Sequence, residues 1–237
     1  MIKKIIISSF ASILLLSQVA NAEIKLGSFG SLTFNAGYNS NYVWRGADQN
    51  SGSGAPYIGG DLNTPVGIYL GTWTSGVANG TSSQEVDIYA GLKKSFGPVT
   101  VDLGVIEYRY PGGDKKATPL NFAEGYVKIN IAPDKAPFTI GAAYYVDDTK
   151  GLKSGTNTAQ KNYQEVNATY DFGNFQSFVS YGEYKGFTDT TTITISKSIF
   201  DLGFALSYVD SDTKSKTNDL APAKDREFAV LNVSKTF

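Results

Sequence analysis

Any catalytic chemistry in this sequence must do without imidazole or thiol groups, because its 237 residues include no histidine and no cysteine. The missing histidine removes the Ser-His triad, the histidine-dependent hydrolases and most zinc sites together. The acids with the most suggestive spacing are Glu85 and Asp87. Two residues apart, they share one face of an extended strand, where they would form an acid/base pair or stand as solvated charges balanced by Arg45 or Lys93. Asp147 with Asp148, and Asp210 with Asp212, lack the glycine-centred pattern of a calcium loop. The expectation is a chain that is not an enzyme, with no catalytic residues, no metal site and no cofactor.

The elements that must hold these residues repeat with a period of two. From Ser31, small or polar residues (Thr33, Asn35, Gly37, Asn39) alternate with apolar ones (Leu32, Phe34, Ala36, Tyr38), and Tyr42 and Trp44 follow after Ser40. Val86, Ile88, Ala90 and Leu92 alternate with Glu85, Asp87, Tyr89, Gly91 and Lys93, and the pattern returns through Ala123–Ile131, Phe138–Asp147, Glu165–Phe172 and Asp201–Tyr208. Weaker stretches near 56–64, 66–74, 99–110, 175–185, 190–198 and 226–237 bring the predicted number of strands to twelve. Such strands suit a sheet with one face in lipid and one in water.

Connection lengths point the same way. Long segments (Arg45–Ala55, Ser75–Ser83, Pro111–Leu120, Asp148–Lys161, Lys185–Asp189, Asp210–Asp225) alternate with tight ones at Thr64-Pro65, Phe96–Pro98, Ala132–Pro137, Gly173-Asn174 and Ile199-Phe200. An even-stranded meander with its loops sorted to one end is an antiparallel, up-and-down transmembrane β-barrel, whereas a Greek-key sandwich has no reason to sort them. Tyr42, Trp44, Tyr108, Tyr110, Tyr144, Tyr145, Tyr181 and Tyr184 gather toward the long-loop end, where they would form an interfacial aromatic girdle.

The two ends of the chain fit an exported barrel. Lys3 and Lys4, the apolar run from Ile5 to Leu16 and the small-x-small triplet Ala20-Asn21-Ala22 predict a cleaved signal peptide over residues 1–22, leaving the barrel at 23–237. Cleavage would move the net charge from −1 to −3, because it removes two lysines and no acid. Nothing in that balance suggests nucleic acid. At the other end Phe237 closes the alternation Ala229, Leu231, Val233, interrupted by Lys235, and resembles the signal read by the barrel assembly machinery of the bacterial outer membrane.

Asn39-Ser40-Asn41-Tyr42-Val43-Trp44-Arg45-Gly46 with Gln49, Gly71-Thr72-Trp73-Thr74-Ser75, Glu85-Val86-Asp87-Ile88-Tyr89-Ala90-Gly91 and Tyr108-Arg109-Tyr110-Pro111-Gly112-Gly113 resemble the TorF-type family of proposed porins. These are conserved bacterial outer-membrane proteins of unknown function. The resemblance implies an outer-membrane barrel with a pore role, and it brings no catalytic residues and no substrate.

Twelve strands about 4.8 Å apart, tilted near 40°, would close at a backbone radius of roughly 12 Å and leave a narrow lumen. Period-two parity directs Asn39, Asn41 and the bases Arg45, Lys93 and Lys128 into it, with Arg45 near the outer mouth. It also directs the acids Asp61, Glu85, Asp87, Asp102, Glu124, Glu165, Asp171 and Asp201 inward. The expected function is passive diffusion of small hydrophilic solutes or ions across the outer membrane of a Gram-negative cell, with a weak cation preference. The alternative is a structural or adhesive barrel whose lumen is plugged by paired charges. Outer-membrane lipid and lipopolysaccharide are the expected surroundings, with Lys115, Lys116, Lys150, Lys153, Lys161, Lys214, Lys216 and Lys224 available to lipopolysaccharide phosphates. The residues set no oligomeric state. Outer-membrane proteases and phospholipases use barrels of similar strand number, but they depend on a histidine that this chain lacks.

Overall fold

The computed structural model describes residues 23–79, 82–112, 121–147, 162–185, 188–213 and 226–237. Twelve antiparallel strands close into a barrel. They are β1 (Ser31–Asn39), β2 (Ala55–Asn63), β3 (Ile68–Asn79), β4 (Ser82–Phe96), β5 (Val99–Arg109) and β6 (Phe122–Ile131). The second half holds β7 (Phe138–Asp147), β8 (Asn162–Asp171), β9 (Gln176–Tyr184), β10 (Thr188–Ile199), β11 (Leu202–Thr213) and β12 (Arg226–Thr236). Each strand pairs with its sequence neighbour, and β12 returns to β1 from Asn232↔Asn39 to Thr236↔Asn35. Phe237 extends that seam by exchanging two backbone hydrogen bonds with Phe34, at 2.7 and 3.1 Å. The seam joins the two ends of the sheet and closes the barrel.

The alternation in the sequence sets which face each residue takes. On β4, Glu85, Asp87 and Tyr89 are buried in the interior while Ile88 and Leu92 face outward. Around the outside, Leu70, Leu103, Val105, Val166, Ile195 and Leu206 each keep 50–59% of their surface uncovered by protein. An apolar band of this kind is stable only against lipid. One Arg at its midplane would cost about 2 to 4 kcal/mol.

Several boundaries differ from those read in the sequence. Most of the segment Ser75–Ser83 is strand: β3 continues to Asn79 and β4 begins at Ser82, which pair with each other, while residues 80 and 81 lie outside the described residues. Lys185–Asp189 is shorter than expected, since β9 reaches Tyr184 and β10 begins at Thr188. Polar and small residues there resemble loop composition, yet one face of each hairpin packs inward, with Ser75, Val77, Ser82 and Thr188 buried. Residues 1–22 and most of the remaining long connections, with the eight loop lysines and Asp148, lie outside the described residues. At the opposite end Phe200 and Asp201 both take positive φ, 50° and 60°, in a two-residue turn that matches the strand twist.

The aromatic girdle is corrected. Of the eight rings assigned to it, only Tyr144 and Tyr181 face outward. Tyr42, Tyr108, Tyr110 and Tyr145 are buried inside the barrel, and Trp44 and Tyr184 pack with them. Parity decides the outcome: Tyr145 shares a face with Gly141 and Ala143, so it points inward whatever its height. The tight-turn end carries an outward set of its own, Phe29, Phe96, Phe172, Phe175, Phe200 and Phe237.

Candidate functional site: a hairpin latched inside the barrel

Beyond Asn39 the chain turns into the lumen instead of continuing outward. Val43–Trp44 pairs with Ala47–Asp48, and Arg45 and Gly46 form the turn between them at φ +48° and +79°. This mirror-image turn is natural for glycine, while a non-glycine residue in it stores about 1 kcal/mol or more of strain. The Asp48 carboxylate accepts the Asn50 amide at 3.0 Å, which shapes the return of the chain. Gln49 donates its backbone amide to Tyr42 O at 2.7 Å and accepts from Ala78 N at 2.8 Å, tying the hairpin base to β3.

The tip reaches across to the far wall. Arg45 donates from Nη1 and Nη2 to the two oxygens of Glu124 on β6, at 2.6 and 2.8 Å. Their side chains are 1% and 0% exposed. Four rings surround the guanidinium, with centroids at 4.4 Å (Trp44), 4.6 Å (Tyr145), 4.1 Å (Tyr163) and 5.3 Å (Tyr184). Tyr108 adds a hydrogen bond to Glu124 Oε2 at 3.1 Å. Burial disfavours the Arg45 charge, but Glu124 more than restores it and holds the group above its ordinary pKa. A bidentate ion pair at this depth is costly to break from one side, about 3 to 5 kcal/mol, because the remaining charge is stranded.

Three more contacts seat the hairpin. Thr188 on β10 donates to the Arg45 carbonyl at 3.0 Å. Gly46 sits so close to β10 and β11 that a Cβ there would lie 2.4 Å from Ser211 Oγ and 2.5 Å from Thr190 Oγ1. On one side Tyr42 packs edge-on to Trp73 and donates to Glu85 Oε1 at 3.2 Å; on the other Val43 joins Val209, Val230 and Phe228. The hairpin therefore crosses the lumen, with aromatic and charged β3–β8 on one side and the hydroxyl-rich face of β10–β12 on the other.

Glycines keep the inner rings flat on the wall. Tyr57 pairs across strands with Gly37, Tyr89 with Gly71, Tyr69 with Gly91 and Tyr126 with Gly104. A Cβ at any of these glycines would lie 2.3 to 2.5 Å from the partner's ring or hydroxyl. Each ring leans over a neighbour that has no side chain, so the wall holds large aromatics without aiming them all at the axis.

Residues 27–237 match the family model described as "Bacterial protein of unknown function (Gcw_chp)". The chain belongs to the Gcw_chp family. Among solved structures, this Gcw_chp chain is similar to "KdgM porin" at a TM-score of 0.57 and 8% identity, covering 86% of this chain and 99% of that one. It is also similar to the structure titled "NanC porin structure in rhombohedral crystal form" at 0.52 and 13%, covering 86% and 98%. At such identities the likeness is one of fold. No curated protein matches the sequence.

The Gcw_chp barrel brings several residues singled out by parity to its interior. Asn39 accepts a hydrogen bond from Asn232 at 2.7 Å across the closing seam, and Asn41 lies at the hairpin root. Glu85, Asp87, Asp102, Glu124 and Lys128 are buried. Lys93 lies 3.7 Å from Asp102. Lys128 stands 4.1 Å above the Tyr126 ring, and Glu165 accepts from Tyr163 and Asn167 at 2.8 and 3.0 Å. Asp61 accepts from Tyr89 at 2.5 Å.

Three placements differ from expectation. Asp201 lies exposed in the Phe200–Asp201 turn, off the inner wall. Asp171 accepts the Gly173 amide at 2.7 Å and so caps the turn after β8. Arg45 pairs with Glu124, not with Glu85 or Asp87, because the inward hairpin carries it past β4 to β6. Sequence reasoning missed the rings around Arg45 and the role of Gly46. The available signal was Gly46, which can take the second position of a two-residue hairpin turn at positive φ.

Proposed function

We propose that this protein is an outer-membrane channel for passive diffusion of small hydrophilic solutes or ions, narrowed from within by the Arg45 hairpin. The observation that carries this reading is a closed barrel with an apolar outer band around an interior of carboxylates, amines, hydroxyls and amides. Asp61, Glu85, Asp87, Asp102, Glu124 and Glu165 outnumber Arg45, Lys93 and Lys128 on the inner side, which supports a weak cation preference. The motifs resembling TorF-type porins point the same way. A KdgM porin has been solved in complex with disordered oligogalacturonate, which supports a hydrophilic solute for this fold.

Export by the signal peptide at residues 1–22 and insertion by the barrel assembly machinery through Phe237 complete the reading, and no enzymatic step enters it. One observation favours a second reading, a plugged structural or adhesive barrel: the hairpin tip is buried and held by a bidentate ion pair. Planar-bilayer recording of refolded protein separates the two. Discrete conductance steps support the channel, and a silent bilayer with an intact barrel supports the plug.

A further inference from the structure

Five consecutive strands, β5 to β9, each send one side chain to the pocket that holds the Arg45 guanidinium: Tyr108, Glu124, Tyr145, Tyr163 and Tyr184. The two Glu124 oxygens take its terminal nitrogens as a fork, and the Tyr145, Tyr163 and Tyr184 rings lie 4.1 to 5.3 Å from its central carbon. A carboxylate fork at one end with ring faces around the sides is the arrangement that suits a planar guanidinium. All five residues belong to the wall, so they remain when the hairpin leaves; Trp44, at 4.4 Å, leaves with it. The same wall attracts a second cation, since Lys128 Nζ stands 5.4 Å from the Tyr145 ring.

Arg45 fills this pocket imperfectly. Its Nε is buried with no acceptor, and its backbone is held at φ +48°, so the seated hairpin bears two costs that an untethered guanidinium would not. We infer that the pocket is a binding site for soluble guanidinium-bearing solutes, with Arg45 as its built-in occupant and competitor. A solute in the place of Arg45 binds only the released hairpin, and so draws the equilibrium toward release. That control of flow rests on the channel reading, whereas binding at the pocket does not. Tethering gives Arg45 an effective concentration on the order of millimolar or more, so in the parent a solute competes only at similar concentrations.

The test is calorimetric titration of the full refolded chain in neutral detergent, with ethylguanidinium as the probe. Arg45→Gly vacates the pocket and relieves the turn, because glycine accepts positive φ. R45G should bind ethylguanidinium saturably and at least tenfold more tightly than the parent does. Ethylammonium, which carries the same charge without the planar fork, should bind R45G at least tenfold more weakly. R45G/E124Q should lose affinity for ethylguanidinium by a similar factor. Heat-dependent gel mobility reports a closed barrel in each case, and if R45G does not close, R45Q carries the same titration. No saturable binding to the closed variant, equal affinity for the two cations, or affinity unchanged by E124Q would each overturn the site; the last two would show only a general attraction of cations to an acidic lumen. In a planar bilayer, ethylguanidinium should lengthen the larger-conductance dwells of the parent. Selective binding to R45G beside a parent that never conducts would uphold the site and count against the channel.

Discussion

Replacing Glu124 with Gln should release the hairpin. The Arg45–Glu124 pair is bidentate and almost wholly buried, so removing its anion strands the guanidinium at a cost of about 3 to 5 kcal/mol. The Gln amide still accepts one hydrogen bond, which returns about 1 kcal/mol. Strain at the Arg45 φ of +48° already favours release in the parent and remains the same in the variant. The net weakening of the seated position is about 2 to 4 kcal/mol. At 1.4 kcal/mol per tenfold, the ratio of released to seated hairpin rises roughly 30- to 700-fold. Single-channel recording reads this as a longer dwell in the higher-conductance level. Arg45→Gln should act in the same direction, and the double variant should be no worse than either single one, because neither stranded charge then remains. Additive effects in that cycle, or a change below twofold in E124Q with the barrel intact, would refute the latch.

Gly46→Ala should loosen the same hairpin without touching the ion pair, since the new Cβ meets Ser211 and Thr190 and the position has φ +79°. Its conductance should resemble E124Q while its gel mobility remains that of a closed barrel. Arg45→Gln should also raise the cation-to-anion permeability ratio, measured by reversal potential, because it unmasks Glu124; the rise should be larger at low ionic strength, where screening is weaker. Deleting Phe237 removes two backbone hydrogen bonds from the β12–β1 seam, and surface levels should fall far more than the stability of barrels that do form. Normal surface levels would reduce Phe237 to ordinary strand packing.

Strand number and inward parity were legible because both follow from a period of two enforced by lipid on one side and polar contacts on the other. Glu85, Asp87, Glu124 and Lys128 are buried inside the barrel. The girdle was misread because height along the barrel and direction from its wall are separate properties, and Tyr145 carried a clear inward parity. Trp44 was placed by continuing the alternation of the first strand, but β1 ends at Asn39 and the hairpin resets the phase. No local rule could supply the Arg45–Glu124 contact. The two residues are 79 positions apart in the chain, and only closure of the barrel with the loop folded inside brings them together. The flat-lying tyrosines need a cross-strand register, which a lone glycine in a strand does not disclose.

Recording from single refolded barrels in a planar bilayer, parent beside E124Q, tests the latched channel most directly. The parent should show discrete steps from a low-conductance level, with reversal potentials favouring cations, and E124Q should spend far longer in the larger level. Silence from both proteins, with heat-dependent gel mobility proving that each barrel is closed, would contradict the channel and leave a plugged membrane body.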